Sequence, residues 1–208
     1  SAQLSPALRD DALRARWGAG RDSVVAIHVG RIAPEKNLDL AVRAFRAIQA
    51  RRPDARFVWV GDGPAREALA RANPDFVFCG IQRGTELARH FASGDLFLFP
   101  SRSETFGNVT LEALASGLVV VAYDQAAAAE HVRDGDNGVL AWGDADRDFV
   151  DAACRAASCR ADWPRWRAQA RRAAQGARWD AVLRRFDQRL AQIARAGHAD
   201  RARDVALA

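Results

Sequence analysis

This sequence has no methionine, a single tyrosine and three cysteines in 208 residues. Three cysteines do not build a disulfide framework. Cys79 falls in an apolar stretch that reads as a buried strand. Cys154 and Cys159 lie on one expected helix, about 140° apart around it at roughly 100° per residue. No histidine or further cysteine clusters near them, so no metal site is expected. A reducing, cytoplasmic setting fits this cysteine usage. No apolar run reaches the ~18 residues that a bilayer span requires. Residues 1–10 lack the basic start and apolar stretch of a secretory signal. A chain that opens on serine and holds no methionine reads as a piece of a longer protein.

Lysine is nearly absent too. Lys36 stands alone, although Lys and Arg together number 31 against 26 Asp and Glu, for a net charge of +5. Such an arginine excess is the mark of a GC-rich genome. An ammonium kept at position 36 under that bias points to a place where a compact point charge is wanted, as for phosphate. From 155 to 195 arginine is interleaved with Asp, Gln and Ala, which reads as a solvated helical face; no nucleic-acid partner is expected.

What the sequence does contain is alternation of strand and helix. Residues 24–29, 57–60, 76–79, 96–99, 118–122 and 139–142 read as short strands. Between them lie a helix N-capped by Asn37, one over 64–72 opening at Pro64, and others over 84–92, 108–115 (closing at Gly117) and 126–132. The pattern predicts an α/β fold: a doubly wound, Rossmann-like parallel sheet of about six strands in the order 3-2-1-4-5-6. Residues 1–21 read as a lead-in with a short helix near 10–17, residues 22–143 as the sheet domain, and residues 144–208 as C-terminal helices. Trp163, Trp166, Trp179, Leu183, Phe186 and Leu190 are the expected packing positions of those helices.

In such a sheet ligands bind beyond the carboxyl ends of the strands. After the first strand, Gly30 permits a turn or a close approach, and Arg31 and Lys36 bring two cations; the segment is either a phosphate seat or a solvated basic loop. After the fourth strand, Glu104, Phe106, Gly107, Asn108 and Val109 lead into a helix whose first N–H groups form a seat for a diphosphate. Glu104 and Glu112 either accept hydrogen bonds from sugar and ribose hydroxyls or are surface carboxylates. Gly61-Asp62-Gly63-Pro64 reads as a tight turn capped by Asp62. Gly80-Ile81 can bring backbone groups to a base edge. Asp124 and Glu130 touch hydroxyls or are merely solvated. His28 reads as a packed core histidine. No Gly-x-Gly-x-x-Gly follows the first strand, which disfavours NAD.

In order along the chain, Val29-Gly30-Arg31, Glu35-Lys36-Asn37, Gly61-Asp62-Gly63-Pro64, Phe78-Cys79-Gly80, Asp95-Leu96-Phe97, Pro100-Ser101 and Glu104-x7-Glu112 with Gly117 resemble the C-terminal, nucleotide-sugar-binding domain of family 4 glycosyltransferases. The resemblance covers roughly residues 22–142, and Trp179 resembles the tryptophan of that family's C-terminal helices. It implies one half of a GT-B enzyme that retains anomeric configuration and needs no metal. It implies that Arg31 and Lys36 hold the donor diphosphate and Glu112 the ribose hydroxyls. Glu104 would hold the transferred sugar, backbone groups around Phe106–Val109 the sugar and phosphates, and Gly80-Ile81 the base. The donor substrate would be a UDP- or GDP-type sugar, with no tightly bound cofactor. The acceptor would be a lipid or glycan at the membrane surface, and the missing partner an N-terminal acceptor domain without which the chain is inactive. The sequence departs from the family pattern at Thr105, where Gly is frequent, at Leu118, where Pro is frequent, and at residues 125–130, which replace a usual Pro-Glu. The competing classes are a non-catalytic nucleotide-binding module or regulatory fragment and a basic protein of anionic surfaces. A phosphorylase is disfavoured because no lysine besides Lys36 exists for a Schiff base.

Overall fold

Short apolar runs rich in β-branched residues form strands when both faces can be buried, and here both are. In the computed structural model, which describes residues 4–102 and 108–177, the strands are β1 (Val25–Val29), β2 (Arg56–Val60), β3 (Val77–Gly80), β4 (Leu96–Phe99), β5 (Val119–Tyr123) and β6 (Gly138–Ala141). They pair in parallel in the order β3-β2-β1-β4-β5-β6, the order expected from the sequence. The helices are α1 (Asp11–Arg16), α2 (Leu38–Arg51), α3 (Arg66–Ala72), α4 (Gly84–Ser93), α5 (Asn108–Ala115), α6 (Ala126–His131), α7 (Asp146–Ser158) and α8 (Trp163–Gly176).

Alternate strand residues feed two cores. Ala26, Phe57, Trp59, Leu98 and Val121 pack with Phe45 of α2 and Phe149 of α7. Val25, Ile27, Phe97 and Val120 pack with Trp17, with Phe91 of α4, with Leu114 of α5 and with Ala170 of α8. The chain divides into two units, Ser1–Ala174 and Gln175–Ala208. Of the second, only residues 175–177 are described. Trp163 and Trp166 are buried; Trp179, Leu183, Phe186 and Leu190 lie outside the described residues. No described helix is long and apolar enough to cross a membrane.

Several local expectations shift. The strand expected at 76–79 runs over Val77–Gly80 and is half-buried, because it forms the sheet's edge and lacks a neighbour on one side. Pro64 does not open a helix. The Ala65 amide donates to the Ile32 carbonyl at 3.1 Å, and α3 starts at Arg66. Asn37 precedes α2 without a side-chain cap; it adopts the left-handed conformation (φ 54°, ψ 47°), which asparagine tolerates better than most residues. Gly117 does close α5. At φ +74° its amide donates to the Leu114 carbonyl and that of Leu118 to the Ala113 carbonyl, the paired bonds of a Schellman end.

The amino edge of the sheet carries a buried ion cluster that the sequence reading did not single out. The Asp95 side chain is 3% exposed and accepts from Arg9, Arg14 (both 3.1 Å) and Arg167 (2.6 Å), and from the Val25 amide (2.9 Å). Burial alone would raise its pKa, but the guanidinia of Arg167, Arg14 and Arg9 outweigh burial and hold it below the ordinary carboxylate value. Arg14, 2% exposed, also donates to the Ser93 and Ser23 carbonyls. The lead-in, β4 and α8 thus meet on one carboxylate.

Candidate functional site

In a sheet of this order the chain reverses its direction of winding between β1 and β4, and the carboxyl ends there open a crevice. The loop leaving β1 is the basic one. Gly30 turns at φ +144°, and Pro34–Lys36 forms a single 3-10 turn before Asn37 and α2. Arg31 is 65% exposed and pairs with Glu35 at 3.3 Å, an exposed contact worth little energy that an incoming anion can replace. Lys36 stands at the end of that turn, half-buried.

The turn after β2 holds this loop in place. Residues 60–65 are stitched to it: the Gly30 amide donates to the Val60 carbonyl (3.0 Å), Ile32 to Asp62 (2.9 Å) and Ala65 to Ile32 (3.1 Å). Gly61 in turn donates to the Gly80 carbonyl at 2.8 Å, which ties in the loop after β3. The fit requires glycine. A Cβ at Gly61 would stand 1.9 Å from the Gly30 carbonyl oxygen, and one at Gly63 would stand 2.3 Å from that of Ile32. The segment is therefore a buttress for the basic loop, whereas its sequence reads only as a tight turn; Asp62 accepts from the Gly63 amide at 2.7 Å. The same arrangement brings Gly30, Arg31 and Ile81 to one open cavity together with Val29, Gln82 and Leu87. Ile81 is 61% exposed, large for an apolar side chain, and Gly80 adopts φ +67° in open space.

On the other side of the crevice α5 starts beyond β4. Asn108 and Val109 form its first turn, where amides lack partners within the helix. Glu112 lies one turn further on. Among the described residues its carboxyl group has no hydrogen-bond or ionic partner, and burial alone raises its pKa. Glu104, Phe106 and Gly107 lie outside the described residues. The structure thus brings Gly30, Arg31, Lys36, Gly80 and Ile81 onto loops of one stitched network, and puts Asn108, Val109 and Glu112 on the helix that leaves the same edge.

His28 is buried, as a core histidine should be. It stacks on Trp59 (4.8 Å between ring centres), and neither ring nitrogen has a hydrogen bond of good geometry. Burial drives its pKa down to about 4 despite the nearby Leu98 carbonyl, with Lys36 adding to the depression. A neutral imidazole at neutral pH follows. Among the described residues no group of three His, Cys, Asp or Glu side chains is arranged to hold a metal ion.

Residues 23–158 match the glycosyl transferases group 1 family, and the chain belongs to it. It is 42% identical over 125 residues to the sulfoquinovosyl transferase SQD2 of Arabidopsis thaliana, covering 59% of this chain and 24% of that protein. It is 36% identical over 183 residues to a GDP-mannose-dependent alpha-mannosyltransferase of Mycobacterium tuberculosis, covering 86% of this chain and 46% of the relative. The chain therefore spans half or less of the length of these two relatives. Among solved structures, the pneumococcal O-GlcNAc transferase GtfA in complex with UDP and GlcNAc aligns with a TM-score of 0.70 at 22% identity, over 93% of this chain and 38% of that one. The C-terminal domain of a glycosyl transferase group 1 protein, LpcC of Francisella tularensis, aligns with a TM-score of 0.67 at 19% identity, over 83% of this chain and 96% of that domain. At these identities the likeness is one of fold: a Rossmann-like half of a GT-B architecture.

Proposed function

We propose that this chain is the donor-binding half of a retaining, metal-independent glycosyltransferase that moves a hexose from a nucleoside-diphosphate sugar to a hydroxyl acceptor. The observation that carries the reading is the pairing across the β1–β4 crevice. On one side a stitched basic loop carries Arg31 and Lys36. On the other a helix start is followed by the half-buried Glu112, whose carboxyl has no partner among the described residues. A diphosphate meets cations and the positive end of a helix dipole there, while a ribose supplies the hydroxyl donors that a desolvated carboxylate lacks. In this reading the base lies along Gly80-Ile81, and Glu104 with Phe106–Val109 takes the transferred sugar, as the family resemblance implies.

The chemistry asks little of acid–base groups. Departure of the diphosphate leaves an oxocarbenium-like sugar and concentrates negative charge on the leaving oxygens. Lys36, Arg31 and the amides opening α5 are fixed donors aimed at that charge, so they stabilise the transition state more than the ground state. The buttress after β2 fixes the backbone of the basic loop at Gly30 and Ile32. The acceptor hydroxyl, of a lipid or a glycan, comes from a second domain. The names of the relatives support a donor of the GDP or UDP type.

A thermal-shift panel of UDP, GDP, ADP and their sugars tests this. A ligand at 100 times its dissociation constant adds about 2.7 kcal/mol of stability, so one responsive base stands out. Lys36→Glu, which puts a negative charge where the diphosphate is expected, should abolish the response. A panel with no response, or an unaltered response in the variant, would overturn the reading.

A further inference from the structure

The cavity shared by the loops after β1, β2 and β3 has a volume of about 320 Å³. Val29, Val60 and Leu87 give it apolar walls, and Ile81 adds an exposed one. Such walls suit the faces of a planar heteroaromatic ring. The sign of the polar lining is more telling. Three side chains bring polar atoms to the cavity: Arg31, Asp62 and Gln82. Arg31, in the reading above, serves the diphosphate. The other two present acceptors. The Gln82 amide nitrogen turns back on its own loop and donates to the Cys79 carbonyl at 2.7 Å. A planar amide held in this way directs its oxygen away from that carbonyl. The oxygen is accessible and has no hydrogen-bond partner among the described residues. The Asp62 carboxylate accepts the Gly63 amide on Oδ1 at 2.7 Å, which orients it, and Oδ2 has no partner among the described residues. Asp62 is exposed and Gln82 half-buried, so both can meet a ligand. The bond from the Gly61 amide to the Gly80 carbonyl, at 2.8 Å, ties the two loops that carry them.

Bases differ in the order of donors and acceptors along their edges. Guanine carries two adjacent donors, the ring N1–H and the 2-amino group, and its 2-amino group is a donor that no other common base places there. Uracil carries a single donor, N3–H, between two carbonyl oxygens. Adenine sets its amino group beside an unprotonated ring nitrogen. A pair of acceptors is therefore matched twice by guanine. Against uracil or adenine one of the two faces a lone pair, which leaves it without a hydrogen bond and adds repulsion.

We infer that Gln82 and Asp62 make this cavity selective for guanine, so that the donor is a GDP-sugar rather than a UDP- or ADP-sugar; the inference rests on the donor-half reading above. Calorimetry with GDP, inosine diphosphate, UDP and ADP on the wild-type chain tests it without any substitution. Inosine diphosphate is GDP without the 2-amino group. It is expected to bind roughly two- to tenfold more weakly than GDP, the worth of one hydrogen bond, and UDP and ADP more weakly still. Gln82→Leu and Asp62→Asn are each expected to lower GDP affinity by a similar factor and to narrow its margin over UDP. Asp62→Asn keeps an oxygen for the Gly63 amide, so the turn itself is retained. Three results overturn the guanine assignment and leave the donor-half reading standing: UDP or ADP binding more tightly than GDP, inosine diphosphate binding as tightly as GDP, or a margin over UDP that both variants leave unchanged. Binding of no nucleotide by the wild-type chain overturns the donor-half reading, and the guanine assignment with it.

Discussion

At the amino edge of the sheet Asp95 gathers Arg9, Arg14, Arg167 and the Val25 amide around one buried carboxylate. At the carboxyl edge Arg31 leans on an exposed Glu35, and the half-buried Glu112 carboxyl has no hydrogen-bond or ionic partner among the described residues. The two edges belong to the same strands and share the same cores, so packing does not explain the contrast. A charge that serves the fold is answered within the fold, because an unpaired buried charge is too costly to leave. A polar group kept half-buried and unanswered is instead available to something that arrives from outside.

Asp95→Asn presses this contrast hardest. It leaves Arg14 and its neighbours without their counter-charge and is expected to cost about 3–5 kcal/mol in urea unfolding. The pH dependence follows from the same pairing. The folded-state pKa of Asp95 lies below its ordinary 3.8, so its contribution is complete above that value and is lost as the pH falls through the lower folded value. Wild-type stability should therefore decline in acid below about pH 4, and the variant should lack that component of the decline.

Gly61→Ala probes the other edge through its buttress. The new methyl group meets the Gly30 carbonyl oxygen at 1.9 Å and forces residues 30–32 to move. A stability loss on the order of 1–3 kcal/mol is expected, along with loss of the nucleotide response in thermal shift. A variant that kept the full response would remove the buttress from the account.

Glu112→Gln is expected to have the smallest effect on the unliganded protein. Burial raises this carboxyl above its ordinary 4.5, so its favourable contribution is complete below that value and lost as the pH rises through the folded one. The glutamine variant should match the wild type in acid and be slightly more stable, by less than about 1 kcal/mol, at pH 8. Nucleotide binding should nevertheless weaken, since the amide is a poorer acceptor for ribose hydroxyls. Equal loss of stability and binding would mark Glu112 as a structural residue.

The strand order was legible because apolar runs alternate with helical periodicity and each element announces its end with Gly, Pro or Asn. Local chemistry was less legible. Asn37 reads as a cap and is used for its left-handed backbone. Phe76 is buried and was counted into a strand that begins one residue later. In the site, the isolated Lys36 could be found because the rest of the chain avoids lysine. The buttress could not, because Gly-Asp-Gly-Pro has the same composition in any tight turn, and only the neighbouring Gly30 carbonyl reveals the constraint. The Asp95 cluster was invisible for a different reason. Its partners lie 86, 81 and 72 residues away, in a chain where arginine is everywhere.

Those separations also govern how the protein is made. Synthesis adds about 5–20 residues per second, so Arg167, 72 residues downstream, follows Asp95 from the ribosome by roughly 4–14 s. During that interval Arg9 and Arg14 are the only guanidinia of the cluster that exist. The carboxylate cannot reach its final state of burial until α8 arrives, so that helix acts as a latch on the segment that carries Arg9 and Arg14.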